Sequence, residues 1–429
     1  MSGSLRIHRY LAFSLLILFS CKQQKENAEP VTAFIGATII DGNGKTPIRD
    51  AILLVQRGRI ISLGSQQLVA IPNGAEIIDL SGKTIMPGII NAHGHVGDVK
   101  GIEGGHYSKK NIIDNLSIYA RYGVTTVVSL GGDRKASEDI RAVNDTTSFD
   151  HARLFIAGDI IDGKTPAEAL ALVDSNDHIG VDFMKIRVDD NLGTSPKMPV
   201  EIYKPVIDHA HELGYKIATH MYYLEDARKL LESGSDMLAH SVRDKAVDDS
   251  FIKLAKEKNV PYCATFTREL STFVYGDTAD FFSDPFFLHE YGDELIKPLL
   301  DPEHQKQIRE SRNAKIYREQ LPVAMANLKR LSDAGVHIVF GTDSGVPTRF
   351  MGYFEHIEMT MMSEAGLNPM EIIMTASKNA AEFMGLKDLG TLSAGHWADF
   401  IVLDADPLAD IRNTRKISAI YIGGKMLKR

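Results

Sequence analysis

Ile85-Met86-Pro87-Gly88-Ile89-Ile90-Asn91-Ala92-His93-Gly94-His95 is an apolar run that ends in two histidines. Residues 85–91 have the length of one buried strand, and strand alternation turns His93 and His95 to the same side. The glycine between them leaves room for a group close to the backbone. A lone His-x-His says little about metal. In a parallel barrel, however, chemistry collects where strands end, so the question is whether other strands of this chain end in residues of the same kind.

Seven further strand-like runs follow, at 125–130, 154–157, 182–187, 216–219, 237–239, 262–265 and 337–340, each separated from the next by a helical stretch. Such alternation argues for a parallel sheet with crossover helices. Eight units over about 300 residues predict an α/β fold, a TIM-type (β/α)8 barrel with insertions, spanning 87–388. A doubly wound open sheet is the alternative, but no Gly-rich nucleotide fingerprint follows the first strand.

The strand ends carry chemistry. The fourth run, Val181-Asp182-Phe183-Met184-Lys185-Ile186-Arg187, places Lys185 in an apolar stretch. Burial makes a charged amine costly, so the neutral form becomes accessible and can react with carbon dioxide to give a carbamate able to bridge two cations. The plain alternative is a lysine paired with Asp182, Asp189 or Asp190. The fifth and sixth runs end in Thr219-His220 and Ala239-His240, and the eighth in Gly341-Thr342-Asp343. Metal-ligating residue types and one lysine thus sit at the ends of five different strands, which isolated polar residues do not explain.

This pattern resembles the amidohydrolase superfamily, in its binuclear branch related to imidazolonepropionases and to bacterial Xaa-Pro and other dipeptidases. The resemblance rests on Met86-Pro87-Gly88 before His93-x-His95, Tyr122-Gly123-Val124-Thr125-Thr126, Phe183-Met184-Lys185-Ile186, His220, His240, Gly341-Thr342-Asp343 and the closing Gly390-Thr391-Leu392-x-x-Gly395-x-x-Ala398-Asp399. It implies that His93, His95 and Asp343 hold one divalent metal, His220 and His240 the other, with carboxylated Lys185 as the bridge. Zinc suits an imidazole-rich site, though manganese, cobalt or iron also fit. A hydroxide between the metals would attack an amide carbonyl, with Asp343 as acid and base. Tyr222 matches a His-x-Tyr of the dipeptidase-like members and could donate to the oxyanion, or merely line the pocket. Arg187, two residues past Lys185, and His106, in the loop Gly104-Gly105-His106-Tyr107, are candidates for substrate contact, Arg187 toward a carboxylate.

The expected reaction is hydrolysis of a C–N bond in a small molecule such as a dipeptide or N-acyl amino acid. A cyclic amide or lactone is the alternative substrate, and heterocycle deamination a further one. Related deaminases carry a Glu three residues after the fifth-strand His, where this chain has Tyr223. A non-catalytic, ligand-capturing lipoprotein would have lost a ligand, and none is missing. His356 is expected to organise structure and Cys263 to be a small core residue.

Both flanks read as short strands with turn signals, so 31–86 and 389–429 are expected to form one discontinuous β-sandwich domain. The segment 269–310, rich in Phe, Tyr, Asp and Pro, is either a cap over the site or a packing decoration. Before all this, Arg6, His8 and Arg9 precede an apolar run ending at Leu18-Phe19-Ser20-Cys21. It resembles a lipoprotein signal and lipobox over 1–21 followed by a tether at 22–30, and implies an exported protein anchored to a membrane by lipid at Cys21. Acylation of Cys21 would leave Cys263 as the one remaining thiol. The formal charge of −8 is spread without a long single-sign run, and so implies no nucleic-acid partner.

Overall fold

The computed structural model describes residues 29–144, 146 and 150–428. The leader over 1–21, Cys21 and most of the tether lie outside them. Before the barrel come β1 (Thr32–Ile39), β2 (Ile48–Gln56), β3 (Arg59–Ser65), β4 (Glu76–Asp79) and β5 (Thr84–Pro87). The barrel strands are β6 (Ile89–Gly94), β7 (Val124–Ser129), β8 (Arg153–Ile156), β9 (Met184–Arg187), β10 (Ile217–His220), β11 (Met237–Ala239), β12 (Tyr262–Cys263) and β13 (Ile338–Val339). After it come β14 (Phe400–Leu403), β15 (Ile417–Ile422) and β16 (Lys425–Met426).

The barrel strands pair in parallel throughout, β6 to β8 in one run and β9 to β13 in another. Parallel bridges from Ile161 to Ile186 and from Gly94 to Ser344 join the two runs into a closed ring. Val128, Ala157, Phe183, Ala218, Met237, Ala239, Cys263 and Val339 share one buried cluster, as layered side chains filling a barrel interior require. Cys263 is therefore a core residue, its thiol pushed up by burial away from the reactive range. No helix among the described residues is long and apolar enough to cross a membrane.

The chain ends meet in an eight-stranded sheet ordered β16-β15-β14-β5-β1-β2-β3, with β4 on β1. Ile60 N–H donates to His396 O at 2.9 Å and Ala398 N–H to Gly58 O at 2.8 Å. These bonds roll the sheet around Phe34, Leu53, Ile85, Phe400 and Tyr421. The expected sandwich is thus one hydrogen-bonded sheet folded on itself, and Phe34 meets Phe400 edge-on at 5.1 Å between centroids. A buried fork locks it to the barrel. Arg153 Nε and Nη2, at the start of β8, donate to Asp399 Oδ2 and Oδ1 at 2.7 and 3.1 Å, a bidentate geometry that fixes orientation as well as distance.

The run 85–91 is not the single strand its apolar character suggests. Up to Pro87 it pairs with β14 in the terminal sheet, and from Ile89 it pairs with β7 in the barrel. The switch falls on Gly88, whose N–H donates to Asp399 O while the next N–H, of Ile89, donates to Gly123 O. A Cβ at Gly88 would lie 2.1 Å from Thr125 Oγ1. Gly88→Ala is accordingly expected to destabilise the protein by about 1–3 kcal/mol through overpacking. The shift in urea midpoint measures this, and Thr125→Ala in the same background should recover part of it.

The insertion's aromatic residues are taken up in packing. Tyr275, Phe282, Phe287 and Tyr291 form a buried cluster with Phe350, Tyr353 and Phe354, beside the helix Tyr353–Glu364. Tyr275 and Tyr291 hydroxyls donate to the carbonyls of Thr348 and Met351, each at 2.6 Å. The insertion therefore braces the loop that follows Asp343.

Candidate metal centre

His93 and His95 leave the end of β6 under local constraint. Asn91 Oδ1 accepts from the His93 N–H at 2.9 Å, and its amide donates to Thr342 Oγ1 and to Glu355 Oε1 at 2.9 and 2.6 Å. Glu355 Oε1 also accepts from Thr342 Oγ1 and Ser344 Oγ. One buried carboxylate thus ties the histidine strand to the residues on either side of Asp343, which itself adopts φ +59°. The space at Gly94 is not a vacancy for a ligand, as its spacing suggested. A Cβ there would lie 3.0 Å from each of Asn91 Nδ2, Tyr119 Oη and Val127 Cγ1, so the glycine admits its neighbours.

The six residues read from strand ends come together. His95 Nε2 lies 2.8 Å and His93 Nε2 3.4 Å from Asp343 Oδ1, and the ligand atoms of these three fall within 4.8 Å of one another. Lys185 Nζ is 3.1 Å from His93 Nε2. The His240 ring is 4.7 Å from His93 and 4.2 Å from His220, centroid to centroid. Lys185 is not paired as the plain alternative had it. Asp182 binds Arg141, Asp189 accepts from His220 and Asp190 accepts from Tyr223 Oη.

The donor set fits divalent metal. Burial holds His93 and His240 neutral and brings His220 down to about 3, and neutral imidazole is the ligating form. Each histidine of the second pair has one nitrogen anchored, His220 Nε2 on Asp189 Oδ2 at 2.8 Å and His240 Nδ1 on Thr265 Oγ1 at 2.7 Å. That is the outer support that orients a metal-binding imidazole, and it leaves His220 Nδ1 and His240 Nε2 for coordination. Burial pulls the Lys185 amine down to about 8 against the opposing pull of Asp343. Burial also pushes the Asp343 carboxyl up, but the Arg349 guanidinium and the hydrogen bond with His95 outweigh it and hold the group well below the usual carboxylate range.

The remaining candidates divide. Tyr222 is buried, its hydroxyl donating to Gln320 Oε1 and its ring facing the Arg243 guanidinium at 4.5 Å. Arg187 bonds Asn191 Oδ1, sits 3.8 Å from Asp189 and lines a cavity of about 420 Å³ with Asp162, Lys164 and Lys197. His106 stands in an exposed loop 3.7 Å from Glu103, outside the cluster. His356 has both ring nitrogens engaged, with Thr414 Oγ1 and Tyr122 O, and so organises structure. Sequence reading missed Asp189, Thr265, Arg349 and Glu355 as supports. Asp189 alone had a signal, two residues past a functional strand end.

A closed parallel barrel whose strand ends gather histidines, an aspartate and an amine around a metal-competent pocket defines a metal-dependent hydrolase. The chain belongs to the amidohydrolase family, whose sequence model matches residues 84–427. Among curated proteins it is 24% identical over 400 residues to a 5-methylthioadenosine/S-adenosylhomocysteine deaminase of Bacillus cereus (strain 03BB102), covering 87% of this chain and 85% of that one. Among solved structures, molinate hydrolase superposes with a TM-score of 0.72 at 22% identity, covering 94% of this chain and 95% of the other. A Xaa-Pro dipeptidase with bound methionine in its active site gives 0.72 at 19% identity, covering 93% and 100%. At these identities the structural likeness establishes the fold.

Proposed function

We propose that this amidohydrolase cleaves the C–N bond of a small amide, a dipeptide or an N-acyl amino acid, with two divalent ions, zinc by preference, between the two histidine pairs. The observation that carries the reading is Lys185, buried 3.1 Å from His93 Nε2 with none of its neighbouring acids as partner. In neutral form its lone pair forms an N–C bond to carbon dioxide, a C=O pair moves onto oxygen and the ammonium-like nitrogen loses a proton to solvent. The product would be an anionic ligand that, with His93, His95, His220, His240 and Asp343, could hold two divalent cations. The metals, when bound, supply an activated water and polarise the carbonyl.

The protein's own groups do the rest. Asp343, kept ionised by Arg349, takes a proton and returns it to the leaving amine. Asp189 and Thr265 keep His220 and His240 in one tautomer and orientation. Tyr222, freed from Gln320, could reach a developing oxyanion.

Deamination of a purine nucleoside is the second reading, favoured by the length over which the Bacillus deaminase aligns. Against it stands Tyr223 at the position of the deaminase glutamate, its hydroxyl donating to Asp190 at 3.0 Å. A screen of dipeptides, N-acyl amino acids, lactones and 5-methylthioadenosine separates the readings. Zinc-loaded protein is expected to hydrolyse amides, to lose that activity on chelation and to regain it with metal. Ammonia release from the nucleoside without amide turnover would overturn the proposal.

A further inference from the structure

The barrel mouth holds more buried positive charge than the ligand cluster uses. Arg243, past β11, and Arg268, in the short helix Phe266–Leu270, share a single carboxylate. Glu269 Oε1 lies 3.2 Å from Arg243 Nε, and Oε2 accepts from Arg268 Nη1 at 2.8 Å. The other acids nearby are engaged. Asp343 pairs with Arg349 and Asp189 with His220, and the Glu358 carboxylate accepts from the N–H groups of Phe266 and Thr267 and from Thr267 Oγ1. Glu269 is thus the one carboxylate within ion-pair distance of the two guanidiniums among the described residues, Asp189 acting on Arg243 only from farther off, and part of their buried donor capacity is left for a further acceptor.

The two arginines are not equivalent. Arg243 is 0% exposed, sandwiched near the Tyr222 and Tyr317 rings, with Nη1 donating to Ser241 O at 2.6 Å. Arg268 keeps 10% of its side chain exposed. Its Nε and Arg243 Nη2 are buried without a hydrogen-bond partner among the described residues. The helix that carries Arg268 follows directly on β12, and Thr267 Oγ1 beside it donates to Thr342 O at 3.1 Å, which puts Arg268 at the barrel mouth next to the strand end that bears Asp343.

We propose that Arg268, backed by Arg243, is the anion anchor of the substrate pocket and receives the free carboxylate of the substrate. The inference rests on the amide-hydrolase reading and narrows it to acylated amino acids and dipeptides. It also moves the carboxylate contact from Arg187, which is already held by Asn191 beside the outer cavity.

L-leucine and L-leucinol, neither of which is hydrolysable, differ in the carboxylate and serve as calorimetric probes on the zinc-loaded protein. L-leucine is expected to bind about 10- to 100-fold tighter, the range of a charge-assisted pair. Arg268→Met should erase that difference and Arg268→Lys restore part of it. Glu269 keeps Arg243 as its partner in either variant, so Tm and metal content should hold. Equal binding of the two probes by the wild type, or a preference that survives Arg268→Met, would overturn the assignment. Amide hydrolysis with no carboxylate preference defeats this inference alone. A preference that follows Arg268 without any amide hydrolysis defeats the reading of the reaction alone.

Discussion

Asp343→Asn is expected to lower kcat/KM by about 10³- to 10⁴-fold, near the upper range for removing a positioned acid–base group. Asparagine suits the test for structural reasons. Asp343 sits at φ +59°, a conformation that Asn tolerates better than most residues. The amide oxygen can still accept from Arg349, so that cation keeps a partner at the site. The flanking Thr342 and Ser344 remain tied to Glu355. What the substitution removes is the carboxylate charge facing His93 and His95, and with it the ability to carry a proton. Steady-state kinetics beside metal analysis reads the outcome. A loss below tenfold at full metal content would show that another group moves the proton.

The difference between Asp343 and its supports also explains what the sequence made legible. His93, His95, Lys185, His220, His240 and Asp343 were readable because each lies within or a few residues past a barrel strand, and barrel topology alone brings strand ends together. Their partners are set by side-chain reach across strands, which has no period in the chain. Arg349 is six residues from Asp343 along a loop, Thr265 is 25 from His240, and Arg268 follows a left-handed Thr265 that ends β12 early. Gly88 shows the same limit in the backbone. An unbroken apolar run conceals a change of sheet that only the packing of Thr125 reveals. The 269–310 segment left both of its readings open because aromatic residues cover a site or fill a core equally well. Its tyrosines turn out to brace 348–351.

Lys185→Met should be the most damaging change to the centre that leaves the barrel folded. Methionine keeps most of the volume among the buried side chains and removes the amine, so no void is created and no charge is stranded. If Lys185 supplies the proposed anionic ligand, its loss takes away several kcal/mol of charge stabilisation, and activity is expected to fall by about 10³-fold or more. The variant is expected to bind at most one metal per chain, because His93, His95 and Asp343 still converge within 4.8 Å, whereas His220 and His240 lose their link to that half. Spectroscopy supplies a readout independent of turnover. Zinc-loaded wild type equilibrated with ¹³C-bicarbonate should show a protein-bound carbamate resonance, and Lys185→Met should not. Lys185→Glu, which sets a fixed carboxylate near the same place, is expected to recover metal content ahead of activity, since its shorter reach constrains the spacing of the pair. Two metals and full activity in Lys185→Met would reduce Lys185 to a buried packing residue, and the centre would then have to be held by its histidines and Asp343 alone.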